Sequence, residues 1–401
     1  MILRRLFLIL FSGIIISILP SCSANDVNSI YPEYDSMQTD IFDETEYIIK
    51  DITPVYPEHY NILADIHDTT SFIEYKKLSI PDTINGYQTS CSEILDKSNI
   101  ILLLYYDLNN HSISKELGVY NLDNGRYSSK VVFSESQLFH ISALNYDHMI
   151  LKLSTDNWET CGIFDYSFIS NELSQIYEYS IDQDTGSVVY DNWWNNILLL
   201  DNIVWFDDYY LNSSGEIHID AYKYDLGKRE LAKVMEDAQN PLFYDGKVYL
   251  FVKNDNNEYR LLRSIDDSQT METNEKLIEI ASATNGIYCI ENKYTDHENH
   301  TTEFEIIDFV TNTPILSTTS SIGWLDASAN FVTWLCFDEV IPCIYDVGSK
   351  SVLIFSDFAK GRNTFLIKDN YGILLHAYND IDYVYYFEAI NEATEAFENC
   401  Y

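Results

Sequence analysis

The sequence predicts an all-β fold: a single β-propeller, most simply seven four-stranded blades closed by an N-terminal strand, with six blades as the alternative count. Three observations carry this. Short runs rich in β-branched and aromatic residues alternate with turn residues along most of the chain, as in a meander of antiparallel strands. The runs recur at a spacing near 40 residues, the period of propeller blades. A spare strand near the N-terminus also matches a missing strand in the last unit.

The chain has 401 residues, 46% of them hydrophobic and 14% aromatic, enough for one large ring with a full core. Against 24 Lys plus Arg stand 63 Asp plus Glu, a net charge of −39 spread along the sequence. Such a surface repels nucleic acid and anionic headgroups, so nucleic acid is excluded as a partner.

Taken in order, Met1 to Arg5 carries two positive charges, Leu6 to Leu19 is apolar, and Leu19-Pro20-Ser21-Cys22 follows. This resembles a bacterial lipoprotein signal, which implies removal of residues 1–21 and acylation of Cys22. An uncleaved transmembrane helix is the alternative, but the apolar run is shorter than the roughly 20 residues a span needs. Loss of Arg4 and Arg5 would leave 22 basic against 63 acidic residues, or −41. The membrane is then a partner through the lipid at Cys22, with the folded part on the extracytoplasmic face of a bacterial cell membrane. Residues 22–46 are acidic and aperiodic and read as a flexible tether; 47–70, with Pro54 and Pro57, reads as an irregular lead-in.

The propeller is expected over 71–391, and the clearest repeat unit runs from Ser321 to Ser356. The repeat is tracked by its third strand, which ends near Asn121, Asp165, Asp225, Asp266, Asp308, Asp346 and Glu388, at spacings of 44, 60, 41, 42, 38 and 42. The long spacing implies an insertion, placed between Asn195 and Glu216. Each tracked strand has an apolar partner before it, such as Ile100–Tyr105 or Phe331–Cys336. Fourth strands follow in six units, for example Ser129–Phe133 and Lys276–Ile280. The seventh unit lacks one, because 392–401 is an Ala/Glu-rich tail. The unassigned run Ser71 to Ile80 fits there, beside Tyr383–Phe387, closing the ring and covering an edge.

The Asp-x-x-x-Asn-x-Val-x-Trp run from Asp326 to Trp334, followed by Ile344-Tyr345-Asp346, resembles the β-propeller lipoproteins related to TolB-like and YVTN-like repeat families. The resemblance covers roughly residues 70 to 391 and implies blade packing rather than a particular site. The Gly-His and Trp-Asp marks of WD repeats and the kelch di-glycine are absent.

No catalytic constellation, metal site or cofactor motif stands out. Asp296-His297-Glu298-Asn299-His300 misses the spacing of a metalloprotease helix, and Asp182–Gly186 misses two positions of a calcium loop. Both read as turns. Asp207-Asp208 and Asp380-Ile381-Asp382 follow second strands and read as hairpin caps. Cys336 and Cys343 lie on the arms of one hairpin, where either a cross-strand disulfide or two buried thiols is geometrically conceivable. Trp193, Trp194 and Trp324 are the candidate ligand-face aromatics, joined by Trp158 and Tyr209-Tyr210; sugar stacking and inter-blade packing both use such residues. The functional expectation is a membrane-anchored module that binds a protein or glycan partner. A propeller-type glycoside hydrolase or lyase acting on extracellular polysaccharide is the alternative.

Overall fold

The structure is a computed structural model that describes residues 60–62, 73–108, 111–134, 137–155, 160–179, 192, 196–211, 216–254, 258–266, 268–273, 276–296, 301–337, 340–348, 350–354, 362–368, 370–378 and 381–389. Two strands precede the repeats, β1 (Tyr60–Ile62) and β2 (Ile73–Leu78). Blade I comprises β3 (Thr83–Ile84), β4 (Tyr87–Asp96), β5 (Asn99–Leu108), β6 (His111–Asn121) and β7 (Arg126–Val132). Blade II comprises β8 (Gln137–Leu144), β9 (His148–Thr155), β10 (Cys161–Ser167) and β11 (Glu172–Glu178). Blade III has β12 (Leu198–Leu200), β13 (Ile203–Leu211), β14 (Ile217–Asp225) and β15 (Glu230–Met235). Blade IV has β16 (Ala238–Tyr244), β17 (Lys247–Lys253), β18 (Tyr259–Ser264) and β19 (Thr270–Glu272). Blade V has β20 (Leu277–Ala283), β21 (Gly286–Asp296), β22 (Thr301–Asp308) and β23 (Thr313–Thr318), with β1 outside β23. Blade VI has β24 (Ile322–Ala327), β25 (Phe331–Cys336), β26 (Ile341–Asp346) and β27 (Ser351–Ile354). Blade VII has β28 (Arg362–Ile367), β29 (Tyr371–Tyr378) and β30 (Ile381–Ala389), with β2 as its outer strand.

Every pairing in these seven sheets is antiparallel, and the ring closes as the spare strand requires. β2 pairs with β30 from Ile73↔Ala389 to Leu78↔Val384. On the inner side, Cys91, Ile94, Ile100 and Leu102 of blade I share a core with Tyr371, Ile373 and Val384 of blade VII. Lys97 adds its ammonium over the Tyr371 ring, 5.7 Å from the centroid.

The second strands read as largely apolar runs because each lies between two neighbouring blades. In β9, Met149, Leu151 and Leu153 pack toward blade I, and Ile150 packs toward blade III. In β21, Ile287 and Cys289 face blade IV while Tyr288 and Ile290 face blade VI. With side chains alternating across the sheet, both faces are core and no polar alternation survives. β25 and β26 are buried at every position, and Trp334 in β25 has no exposed surface.

Three expectations are corrected, and one open alternative is decided. Leu277–Ile280 does not end blade IV; it begins blade V, because Thr270–Glu272 has already paired with Leu261–Arg263. The extra length of blade III precedes β12, between Glu178 and Leu198, while much of 195–216 forms the β12–β13 hairpin. Tyr60–Ile62, inside the stretch expected to be irregular, is a strand on blade V. Of the disulfide and the two buried thiols left open for Cys336 and Cys343, the structure has the thiols: Cys336 pairs with Ile341 and Cys343 with Trp334, so the register sets the two cysteines diagonally, free and buried.

Candidate functional site: the central channel

The first strands of the blades line the centre of the ring, and several of them are interrupted in the same way. Register shifts fall between Cys91 and Glu93 in β4, Ile141 and Ala143 in β8, Gln239 and Leu242 in β16, Leu277 and Glu279 in β20, and Gly323 and Asp326 in β24. A bulge bends its strand and re-aims the residue that follows; β8, β16, β20 and β24 carry theirs on an edge with no further strand, and β3 pairs β4 only at Tyr87 and Gln88, short of its bulge. Glu93, Glu279 and Asp326 each stand directly after a bulge.

Trp324 occupies the bulge of β24. It is 48% exposed, and its φ of 57° puts a bulky residue in the left-handed region. Phe337, just after β25, meets its ring edge-on at 5.8 Å and 84°. Gly323 makes this corner possible: a Cβ there would stand 2.8 Å from Phe337 Cε2 and 3.4 Å from Glu279 Oε2. An aromatic face, a bracing ring and a carboxylate therefore meet on the inner wall.

Deeper along the same strands, blades VI, VII and I contribute charged groups. Asp326 is open to water but enclosed by protein around the channel, and this enclosure pushes its carboxyl up to about 6. The Ala327 N–H, 2.8 Å from Oδ1, and the Lys368 ammonium act the other way, while the Glu93 charge adds to the rise. Burial likewise raises Glu93, opposed by Lys368 and by the Ile94 N–H at 2.9 Å. Lys368 follows β28 and acts on both carboxyls. Two acids are thus held above the ordinary carboxylate range beside one ammonium.

Asp207 and Asp208 do not cap a hairpin. They lie in the middle of β13, fully buried, where sequence position after an apolar run suggested a turn but the strand simply continues to Leu211. Asp208 accepts from Tyr177 Oη at 2.7 Å and from Asn192 Nδ2 at 3.0 Å. Asp207 accepts from the Asn240 N–H at 2.6 Å, and Asn240 is itself the left-handed residue in the bulge of β16. Lys152 of blade II is buried nearby; burial lowers its pKa, and the charge of Asp207 opposes the fall. This network ties blades II, III and IV together. Tyr209 joins it by donating to Gln239 Oε1 of blade IV at 2.8 Å, while Tyr210 donates to Asp220 Oδ2 of its own blade at 3.1 Å, so both hydroxyls are engaged within the fold.

Of the sequence-predicted site residues, Trp324 lies on the channel wall, while Cys22, Trp193 and Trp194 fall outside the described residues, as do Trp158, His297, His300 and 182–186. Among the described residues no cluster of His, Cys, Asp or Glu is arranged to hold a metal ion. Sequence reasoning missed Glu93, Glu279, Lys368 and Lys152. A bulge leaves almost no mark in sequence, and a lysine inside an apolar run, Leu151-Lys152-Leu153, was the one available signal.

No family model and no curated protein matches the chain. Among solved structures it is similar to an uncharacterized protein of Listeria monocytogenes EGD-e, with a TM-score of 0.51 and 13% identity over 76% of this chain and 93% of that one. The β-propeller domain of the trilobed protease of Pyrococcus furiosus is similar at a TM-score of 0.49 and 11% identity, covering 77% and 97% of the two chains. Oligogalacturonate lyase of Vibrio parahaemolyticus reaches 0.47 and 8% identity over 80% and 98%. The Listeria likeness agrees with the propeller seen here and speaks to the fold alone.

Proposed function

We propose that this protein is an extracytoplasmic binding propeller of the TolB-like or YVTN-like kind, held to the membrane by lipid on Cys22, whose protein or glycan partner docks at the channel wall around Trp324. The observation that carries the reading is Trp324 itself: a large aromatic kept half open to solvent on a strained backbone, where a packing residue would be covered. Screening the purified full chain in mild detergent on a glycan array and by pull-down of surface proteins tests it. Trp324→Ala should weaken the ligand found by tenfold or more, the scale of one stacking contact. Binding untouched by this change would place the partner elsewhere.

A second reading, a hydrolase or lyase on extracellular polysaccharide, is favoured by one observation, the raised pair Asp326 and Glu93 beside Lys368. A carboxyl raised in this way is suited to donate a proton in acid–base work. Turnover of any polysaccharide or chromogenic glycoside that vanishes in Asp326→Asn, with ligand binding retained, would move the protein into the enzyme class.

A further inference from the structure

The outer edges of the blades are not alike. β11 exposes Glu172–Gln175 and β15 exposes Glu230–Lys233, as solvated edge strands do. β23 instead buries Ile315, Leu316, Ser317 and Thr318, each at 3% exposure or less. Among the described residues it is also the one fourth strand with another strand outside it. That strand is β1, paired antiparallel as Tyr60↔Thr318, Asn61↔Ser317 and Ile62↔Leu316.

We propose that the outer edge of blade V is a strand-docking site, that Tyr60–Ile62 is its built-in, exchangeable plug, and that the partner it fits is an extended peptide segment with apolar residues at alternate positions. β-Augmentation needs an unpaired main-chain edge with apolar surroundings, and β23 supplies both once β1 leaves. Pro314 has no N–H to offer and bounds the usable edge, leaving the stretch from Ile315 to Thr318, of which β1 covers the last three residues. A ladder of three residue pairs is short beside the six pairs that hold β2 on β30, so the plug can open while the ring stays closed. Being part of the chain, it also competes at an effective concentration of about millimolar, which keeps the edge shut against chance strands. This surface lies on the rim of blade V, apart from the channel wall, and does not depend on the reading of Trp324.

The test uses the full chain and a fluorescent synthetic peptide spanning Pro57 to Ile66. Asn61→Pro places a residue without an N–H at the centre of the plug. The expected result is saturable peptide binding to Asn61→Pro, at least tenfold tighter than to the wild type, with the melting temperature of the ring unchanged. Hydrogen exchange should rise in the variant at Ile315–Thr318 and not at Val384–Ala389. Equal or absent binding by both proteins overturns the proposal. So does a large fall in melting temperature of Asn61→Pro, since β1 would then be a fixed part of the ring rather than a plug.

Discussion

A tryptophan held in the left-handed region costs on the order of 1–2 kcal/mol, and glycine at that place costs nothing sterically. Trp324→Gly should therefore leave stability within about 1 kcal/mol of the wild type, the relieved strain offsetting the lost Phe337 contact and the greater freedom of glycine in the unfolded chain. Denaturant melts check this. A loss above about 3 kcal/mol, the cost of emptying a core site, would mark Trp324 as a packing residue after all. Asp326 makes a pH-dependent contribution of definite sign. Its folded value, about 6, lies above the unfolded value near 3.8, so the native state binds the proton more tightly. The stability from this group is whole below the unfolded value and is lost as pH climbs through about 6. Asp326→Asn removes that dependence and still accepts the Ala327 N–H. The variant should gain on the order of 1 kcal/mol over the wild type at pH 7.5, a figure discounted for the water that reaches the group, and nothing at pH 4. A gap between the two proteins that stays constant with pH would rule this out.

At the scale of elements, closure rests on one strand from each end of the chain. Removing residues 71–80 takes β2 from blade VII and leaves the unpaired backbone of β30 as an open edge. Light scattering should then show aggregation at concentrations where the intact chain is clear. Removing residues 23–40, ahead of every described strand, should leave the melting temperature within about a degree. Both deletions melting alike would mean that β2 is dispensable. β13 shows how an element is recruited against its own preference: Asp207 and Asp208 are poor strand residues, yet the strand runs through them, with Tyr177 and Asn192 donating to Asp208 and the Asn240 N–H to one oxygen of Asp207.

For the whole molecule, the seven sheets of the described residues form one propeller, and the proposed anchor is tested apart from the fold. Cells fed a labelled fatty acid should incorporate it into the wild type and lose all of it in Cys22→Ala; equal labelling would remove the lipid from the account. The period of the blades, the seven third strands, the apolar second strands and the strand that closes the ring were legible in the sequence. They depend on local β-propensity and on a repeat that every blade must meet to bury its faces against its neighbours. Asn121, Asp225, Asp308 and Asp346 end their strands where the turn chemistry says. Trp324 was legible as an aromatic but not as a wall residue. What only the tertiary structure decided lies at the centre and on the rim: the bulges that turn Glu93, Glu279 and Asp326 inward, the approach of Lys368 to two acids from other blades, and the docking of Tyr60–Ile62 on β23. Each joins residues far apart in sequence through backbone pairing, whose register is set by the closing of the ring and leaves no local pattern to read.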